Sequence, residues 1–343
     1  ILMDASTGTV LYEKNCHEKL PPASVTKIMT MLLICEALEN NKIKEDDDVQ
    51  ISENAASMGG SQIFLEPGEI QKVDTLLKSI AVASANDACV AMAEYVGGSV
   101  EEFVVLMNNR AKELGMNDTN FVNTNGLPVD NHYTSAYDIA LMSKELLSHK
   151  KISKYLTTWM DDVVVGKKQA KIGISNTNKH YAGATGVKTG FTQQAKYCLS
   201  ASALRNNTHL IAVTLCAETS PIRFKDATNL LNYGFANYES VKICGANDKV
   251  ATVQFKKGEK ENVDLVAKDD LSVLIKKGDK KDFQRKVEIK EDLKLPIKKN
   301  TELGVVKVYR GKELIGETKI INNEDINKAS YLQMLRKIVD NLL

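Results

Sequence analysis

Ser24-Val25-Thr26-Lys27 places a hydroxyl and an amine three positions apart. The tetrad follows Pro21-Pro22-Ala23 and leads into an apolar run: Ile28, Met29, Met31, Leu32, Leu33, Ile34 and Leu38. Prolines followed by such a run read as a helix start. Residues three apart on a helix are neighbours, so the Lys27 amine can lie beside the Ser24 hydroxyl. Serine is a weak nucleophile until a base takes its proton. Lysine is that base only where burial or nearby positive charge lowers its pKa enough to leave it neutral. A helix start also offers unpaired backbone N–H groups to a developing oxyanion. Taken alone, the tetrad is a weak signal, since serine and lysine are common and an N-cap role for Ser24 accounts for it as simply.

Two later fragments change the weight of the first. Ser84-Ala85-Asn86 follows a helical stretch, Val73 to Ala83, and Lys188-Thr189-Gly190 precedes Tyr197 to Leu204, which reads as a strand. The ordered set S-x-x-K, S-x-N and K-T-G resembles the signature of penicillin-recognising serine enzymes. The flanking segments resemble one branch of them, the D-alanyl-D-alanine carboxypeptidases, or low-molecular-mass penicillin-binding proteins. They include Met3-Asp4-Ala5-Ser6-Thr7-Gly8, Leu20-Pro21-Pro22-Ala23-Ser24, Phe64-Leu65-Glu66-Pro67-Gly68-Glu69 and Phe121-Val122-Asn123-Thr124-Asn125-Gly126-Leu127. The stretches from His132 to Asp138, Gly186 to Thr192 and Arg223 to Phe235 do likewise. The resemblance is strong over residues 1–238 and loose over 239–325.

The resemblance implies a fold and a reaction. The fold is an α/β penicillin-binding, β-lactamase-like domain, with an antiparallel sheet and a helical insert, followed by a small all-β domain. The reaction is acyl transfer on a peptidoglycan stem peptide ending in D-Ala-D-Ala. Ser24 attacks the penultimate D-alanine carbonyl, Lys27 takes its proton, and water later hydrolyses the acyl-enzyme. Ser84 relays a proton to the leaving amine, and Asn86 bonds the substrate's backbone amide. Lys188 and Thr189 bind the terminal carboxylate. Arg223 is a further candidate for that carboxylate, which suits a guanidinium. Gly190 completes the third motif, and the backbone N–H groups of Ser24 and Phe191 form the oxyanion hole. β-Lactam antibiotics are expected as covalent inhibitors, and no metal or organic cofactor is required.

Two positions depart from expectation. Ala85 stands where class A β-lactamases carry aspartate, and Lys196 stands where the family usually has glycine. A β-lactamase remains the first rival, but no E-x-x-L-N segment lies between Asn86 and Lys188 to supply the deacylating glutamate. A D,D-endopeptidase and a catalytically silent envelope scaffold are further alternatives. His132 and His180 invite a Ser-His reading, although Lys27 already supplies a base.

The elements that must position these groups follow from pattern. Residues 1–13 read as a hairpin, and the nucleophile helix as running from about Ser24 to Asn40. Helical patterns cover 73–96, 99–115, 135–148 and 226–235, and strands 196–204 and 209–217. This order predicts one sheet assembled from both ends of the domain. After about Val241 short β-rich runs separated by turns predict a small sandwich or barrel. The expected domains are 1–238, 239–325 and a C-terminal amphipathic helix, 326–343, with Leu332, Leu335, Val339 and Leu342 on one face. That helix is a candidate for peripheral membrane contact.

At 343 residues and 43% hydrophobic content the chain is long enough for two domains with real cores. A net charge of +1 gives no reason to expect nucleic acid as a partner. No run of about 18 apolar residues exists to span a bilayer. The opening at Ile1, directly within a strand pattern, reads as a mature or trimmed form, and the resemblance implies an exported, cell-envelope protein. Six cysteines without a C-x-x-C pair argue against a zinc site. Cys35, Cys89, Cys198 and Cys216 lie in apolar runs and are expected as small buried hydrophobes.

Overall fold

The protein is described here from a computed structural model, which covers residues 1–178 and 181–340. It divides into two units, Ile1–Asn237 and the chain from Tyr238 on. The first opens with β1 (Leu2–Asp4) and β2 (Val10–Tyr12), and a 3-10 turn over Ala23–Thr26 leads into α1 (Lys27–Glu39). A short pair, β3 (Asp48–Gln50) and β4 (Ile70–Lys72), brackets α2 (Glu53–Ala56). Then come α3 (Val73–Val82), α4 (Asn86–Gly97), α5 (Val100–Glu113), α6 (Ala136–Ser148) and α7 (Ser153–Leu156). A hairpin, β5 (Met160–Val165) and β6 (Ala170–Ser175), precedes β7 (Ala184–Thr192), β8 (Lys196–Arg205), β9 (Thr208–Ala217) and α8 (Ser220–Asn237).

The main sheet runs β2-β1-β9-β8-β7, antiparallel throughout. Successive strand side chains face opposite sides, and here both sides are buried. Leu2, Leu210 and Ala212 join Ala227 and Leu231 of α8 on one face. Met3, Ile211 and Val213 join the helical core on the other. At the centre of that core lies α1, buried nearly all round, as a helix apolar on every side must be. Its surrounding helices have conventional ends. Ser99 Oγ caps α5 by accepting from Glu102 N at 3.1 Å, Ser135 Oγ caps α6, and Gly98 ends α4 at φ 83°.

The sheet built from both ends of the domain, with helices between, is the architecture expected from sequence. Four details differ. Regular α-helix begins at Lys27, because Ala23–Thr26 winds as a 3-10 turn. Lys188-Thr189-Gly190 lies inside β7, where sequence placed it ahead of a strand. Its pairing with β8 holds it extended despite a glycine-rich, weakly alternating sequence. The β5–β6 hairpin was not anticipated, and only Val163, Val165 and Ile174 of it are buried. Cys216 is half-buried at a β-bulge with φ 56°, while Cys35, Cys89 and Cys198 are buried as expected; all six cysteines are free.

The second unit is all-β apart from its last helix. It comprises β10 (Tyr238–Cys244), β11 (Lys249–Gln254), β12 (Asn262–Ala267), β13 (Leu271–Lys276), β14 (Gln284–Ile289), β15 (Glu302–Arg310) and β16 (Glu313–Asn322). Five strands form the sheet β11-β12-β16-β15-β14, and β10 pairs with β13. Leu265, Val273, Val306, Val308 and Ile320 make its core. A final helix, α9, spans Tyr331–Asp340. Of the expected amphipathic face, Leu332 and Leu335 are exposed. Leu342 lies outside the described residues.

Candidate active site

The 3-10 turn bends the chain so that Ser24 and Lys27 face the same space. Ala23 takes the left-handed conformation, φ 49°, to make that bend. Such a φ is unusual for a residue with a Cβ and costs on the order of 1–3 kcal/mol. Gly126 explains how it is held. A Cβ on Gly126 would lie 1.8 Å from the Ala23 carbonyl oxygen, so only glycine permits this approach. The loop carrying Gly126 is itself fixed by Asn123, whose Oδ1 accepts from Gly126 N at 2.7 Å, and by Thr30 Oγ1 donating to the Thr124 carbonyl at 2.6 Å.

Lys27 is fully buried. Its Nζ lies 3.1 Å from Ser24 Oγ and donates to the Asn125 carbonyl at 2.7 Å. Burial lowers its pKa to about 8, against the opposing pull of Cys89 and Asp87. A substantial neutral fraction therefore exists near neutral pH, and the neutral amine has a lone pair for the Ser24 proton. Lys188, also fully buried, has its pKa lowered to about 7, first by burial, then by the positive charge of Lys27. Its Nζ donates to the Thr189 carbonyl at 3.1 Å. Two buried ammonium groups thus share one site, each an easily lost proton.

The second motif sits where α3 hands over to α4. Ser84 is held at φ 59°, another left-handed, non-glycine position, and its buried Oγ has no hydrogen-bond partner among the described residues. Asn86 Nδ2 donates to the Gly59 carbonyl at 2.7 Å, and among the described residues its buried Oδ1 is unpartnered as well. Orphaned polar atoms in a native interior call for an explanation, and a bound substrate is a natural one. Asp87 secures the neighbouring loop by accepting from Ile63 N and Leu65 N, both at 3.1 Å.

The third motif closes the cleft from β7, an edge strand of the sheet. A Cβ on Gly190 would meet Ser24 N at 3.0 Å and the Pro22 carbonyl at 3.1 Å, so the absent side chain lets β7 approach the nucleophile turn. Thr189 is buried, while the neighbouring Phe191 is half exposed and stacks on Tyr197 at 4.4 Å. Lys196, where glycine was expected, adopts φ 53° at the β7–β8 turn, keeping a backbone shape that glycine would take without strain.

Arg223 is not poised in the open cleft. It is buried behind the third motif, where Nη1 donates to the Gly190 carbonyl at 2.9 Å and the Cys198 carbonyl at 3.2 Å. In this arrangement its guanidinium braces β7. His132 is likewise committed elsewhere. Its Nδ1 accepts from Val122 N at 2.9 Å, so Nε2 carries the proton and donates to Thr26 Oγ1 at 2.8 Å. Burial lowers its pKa to about 4, which keeps it neutral. His180 lies outside the described residues.

Sequence reading did not assign roles to Asn125, Gly126 or Asp87. Asn125 acts through a backbone carbonyl, which leaves no side-chain signature. Gly126 could have been suspected from the Asn-Gly pair, and Asp87 from its place directly after the second motif.

Comparisons with known proteins place the whole chain among described relatives. The family model for D-alanyl-D-alanine carboxypeptidase matches residues 1–219, and that for the penicillin-binding protein 5 C-terminal domain matches 238–328. D-alanyl-D-alanine carboxypeptidase DacF of Bacillus subtilis is 46% identical, over 98% of this chain and 87% of its own length. DacC of Escherichia coli is 35% identical, over 96% and 84%. The crystal structure of penicillin binding protein 5 from Haemophilus influenzae superposes with a TM-score of 0.70 at 31% identity, covering 95% of this chain and 96% of that one.

Proposed function

The chain belongs to the D-alanyl-D-alanine carboxypeptidase family, and on that premise we propose how its residues divide the reaction. It is a serine-type hydrolase of peptides ending in D-Ala-D-Ala and a penicillin-binding protein. The contact between Ser24 Oγ and the buried Lys27 amine carries the assignment of roles.

Neutral Lys27 takes the Ser24 proton as Oγ attacks the penultimate D-alanine carbonyl. The oxyanion that forms is met by the backbone N–H groups of Ser24 and Phe191. The orphaned Ser84 hydroxyl passes a proton to the departing D-alanine amine, and Lys188 can resupply it. Asn86 turns its amide to the substrate backbone. The substrate lies along the outer edge of β7, which among the described residues has no further strand paired to it within the sheet. Thr189 and protonated Lys188 receive the terminal carboxylate. Arg223 supports this pocket from behind by holding the Gly190 carbonyl. Water then frees the enzyme from the acyl group, without the glutamate that makes class A β-lactamases fast at this step.

The second unit contributes none of these residues, and we assign it a positioning role. The setting is extracytoplasmic, where peptidoglycan is found. Among the described residues no helix is long and apolar enough to cross a membrane. Peripheral attachment through α9 rests on the exposed Tyr331, Leu332 and Leu335.

Carboxylate recognition can be tested with a diacetyl-L-Lys-D-Ala-D-Ala peptide and its C-terminal amide, by assaying release of the terminal residue. Amidation removes the charge that Lys188 and Thr189 meet, so kcat/KM should fall at least about tenfold. Equal cleavage of acid and amide would overturn this reading and favour an endopeptidase acting on cross-links.

A further inference from the structure

The loop between β6 and β7 brings one more hydroxyl to the third motif. Thr177 Oγ1 lies 2.5 Å from Thr189 Oγ1. Thr177 is exposed while Thr189 is buried, so the outer hydroxyl covers the inner one. The contact is anchored from its own side. Asn176 Nδ2 donates to the carbonyls of Leu156 at 3.3 Å and Thr158 at 3.1 Å, and Asn176 N donates to the Trp159 carbonyl at 2.8 Å. Asn178 N in turn donates to Asn176 Oδ1 at 2.9 Å. Residues on both sides of Thr177 are therefore tied down.

Proton counting gives this contact a direction. A threonine hydroxyl has one proton to donate and two lone pairs to accept with. A carboxylate only accepts. If Thr189 gives its proton to the substrate carboxylate, it must act as acceptor toward Thr177. Thr177 must then be the donor. A hydroxyl that accepts one hydrogen bond becomes a better donor in the next, so the chain Thr177 to Thr189 to carboxylate is cooperative. Without Thr177, the Thr189 hydroxyl is free to turn toward other acceptors.

We propose that Thr177 is a positioning residue for terminal-carboxylate recognition: its hydroxyl donates to Thr189 and thereby aims the Thr189 proton at the substrate carboxylate. This rests on the reading of Lys188 and Thr189 as the carboxylate subsite, and the test separates the two. Thr177→Val keeps the shape and removes the hydroxyl, whereas Thr177→Ser keeps the hydroxyl. Each is compared with the parent and with Thr189→Val on the free-acid and amidated D-Ala-D-Ala peptides. Thr177→Val should raise KM for the free acid about tenfold, with a smaller change in kcat, and lower the acid-over-amide preference by a similar factor. Thr177→Ser should recover most of the preference. If Thr189→Val lowers the preference but Thr177→Val does not, the inference fails and the subsite reading stands. If neither variant changes it, both fail. Equal losses in Thr177→Val and Thr177→Ser would mean that Thr177 only packs, and would also overturn the inference.

Discussion

Replacing Ser24 by alanine is expected to reduce D-alanine release by roughly 10⁴-fold or more, the scale of losing a catalytic nucleophile. It should also abolish covalent labelling by penicillin. The fold should persist. Ser24 is half-buried, its Oγ is bonded to Lys27, and the turn around it is held by Gly126, Thr26 and His132. Circular dichroism of the variant checks that point, and labelling with a fluorescent penicillin checks the chemistry. A folded Ser24→Ala protein that still labels would require another nucleophile. Cys89 is the nearest alternative in chemistry, but burial raises its thiol pKa to about 11 and leaves it unionised.

The second large effect concerns the base. Lys27→Arg keeps a cation of similar reach but substitutes a group that does not deprotonate at accessible pH. Acylation should fall by roughly 10²–10⁴-fold, the usual value of general-base assistance. The parent enzyme should show the matching pH dependence. In the proposed mechanism the active form of Lys27 is the neutral one, so the acylation rate should climb as pH rises toward about 8 and level off above it. In the same proposal Lys188 works in the opposite sense, because it must be protonated to attract a carboxylate. Its pKa of about 7 predicts that KM for the free acid worsens as pH rises through that value. Stopped-flow acylation and steady-state KM, each measured from pH 6 to 9, separate the two limbs. A Lys27→Arg variant that acylates at near-parent rates would remove Lys27 from the role of base.

The fold was legible in sequence where local pattern and burial agree. The apolar run after Lys27 marks the buried central helix, and the alternation in β8 and β9 marks strands covered on both faces. Legibility failed where tertiary packing overrides pattern. Lys188-Thr189-Gly190 is a strand because β8 pairs with it, and the β5–β6 hairpin buries too few side chains to carry a strong period. For the site, side chains at fixed spacing drew attention to Ser24, Lys27, Ser84, Asn86, Lys188 and Thr189. What sequence could not show is how they are held. Gly126 under Ala23 and the Asn125 carbonyl on Lys27 act across long stretches of chain, and the Thr177 hydroxyl reaches Thr189 only through the fold of the loop between them. Arg223 illustrates the converse, for its guanidinium suggested direct carboxylate binding, while the fold turns it toward backbone carbonyls of β7 and β8.

The central claim is that Ser24 is the acylated residue. Its most direct test is peptide mass mapping of the protein after incubation with benzylpenicillin. One penicilloyl adduct should form, and fragmentation should place it on Ser24. An adduct on any other side chain, or an unmodified protein after saturating exposure, would contradict the account.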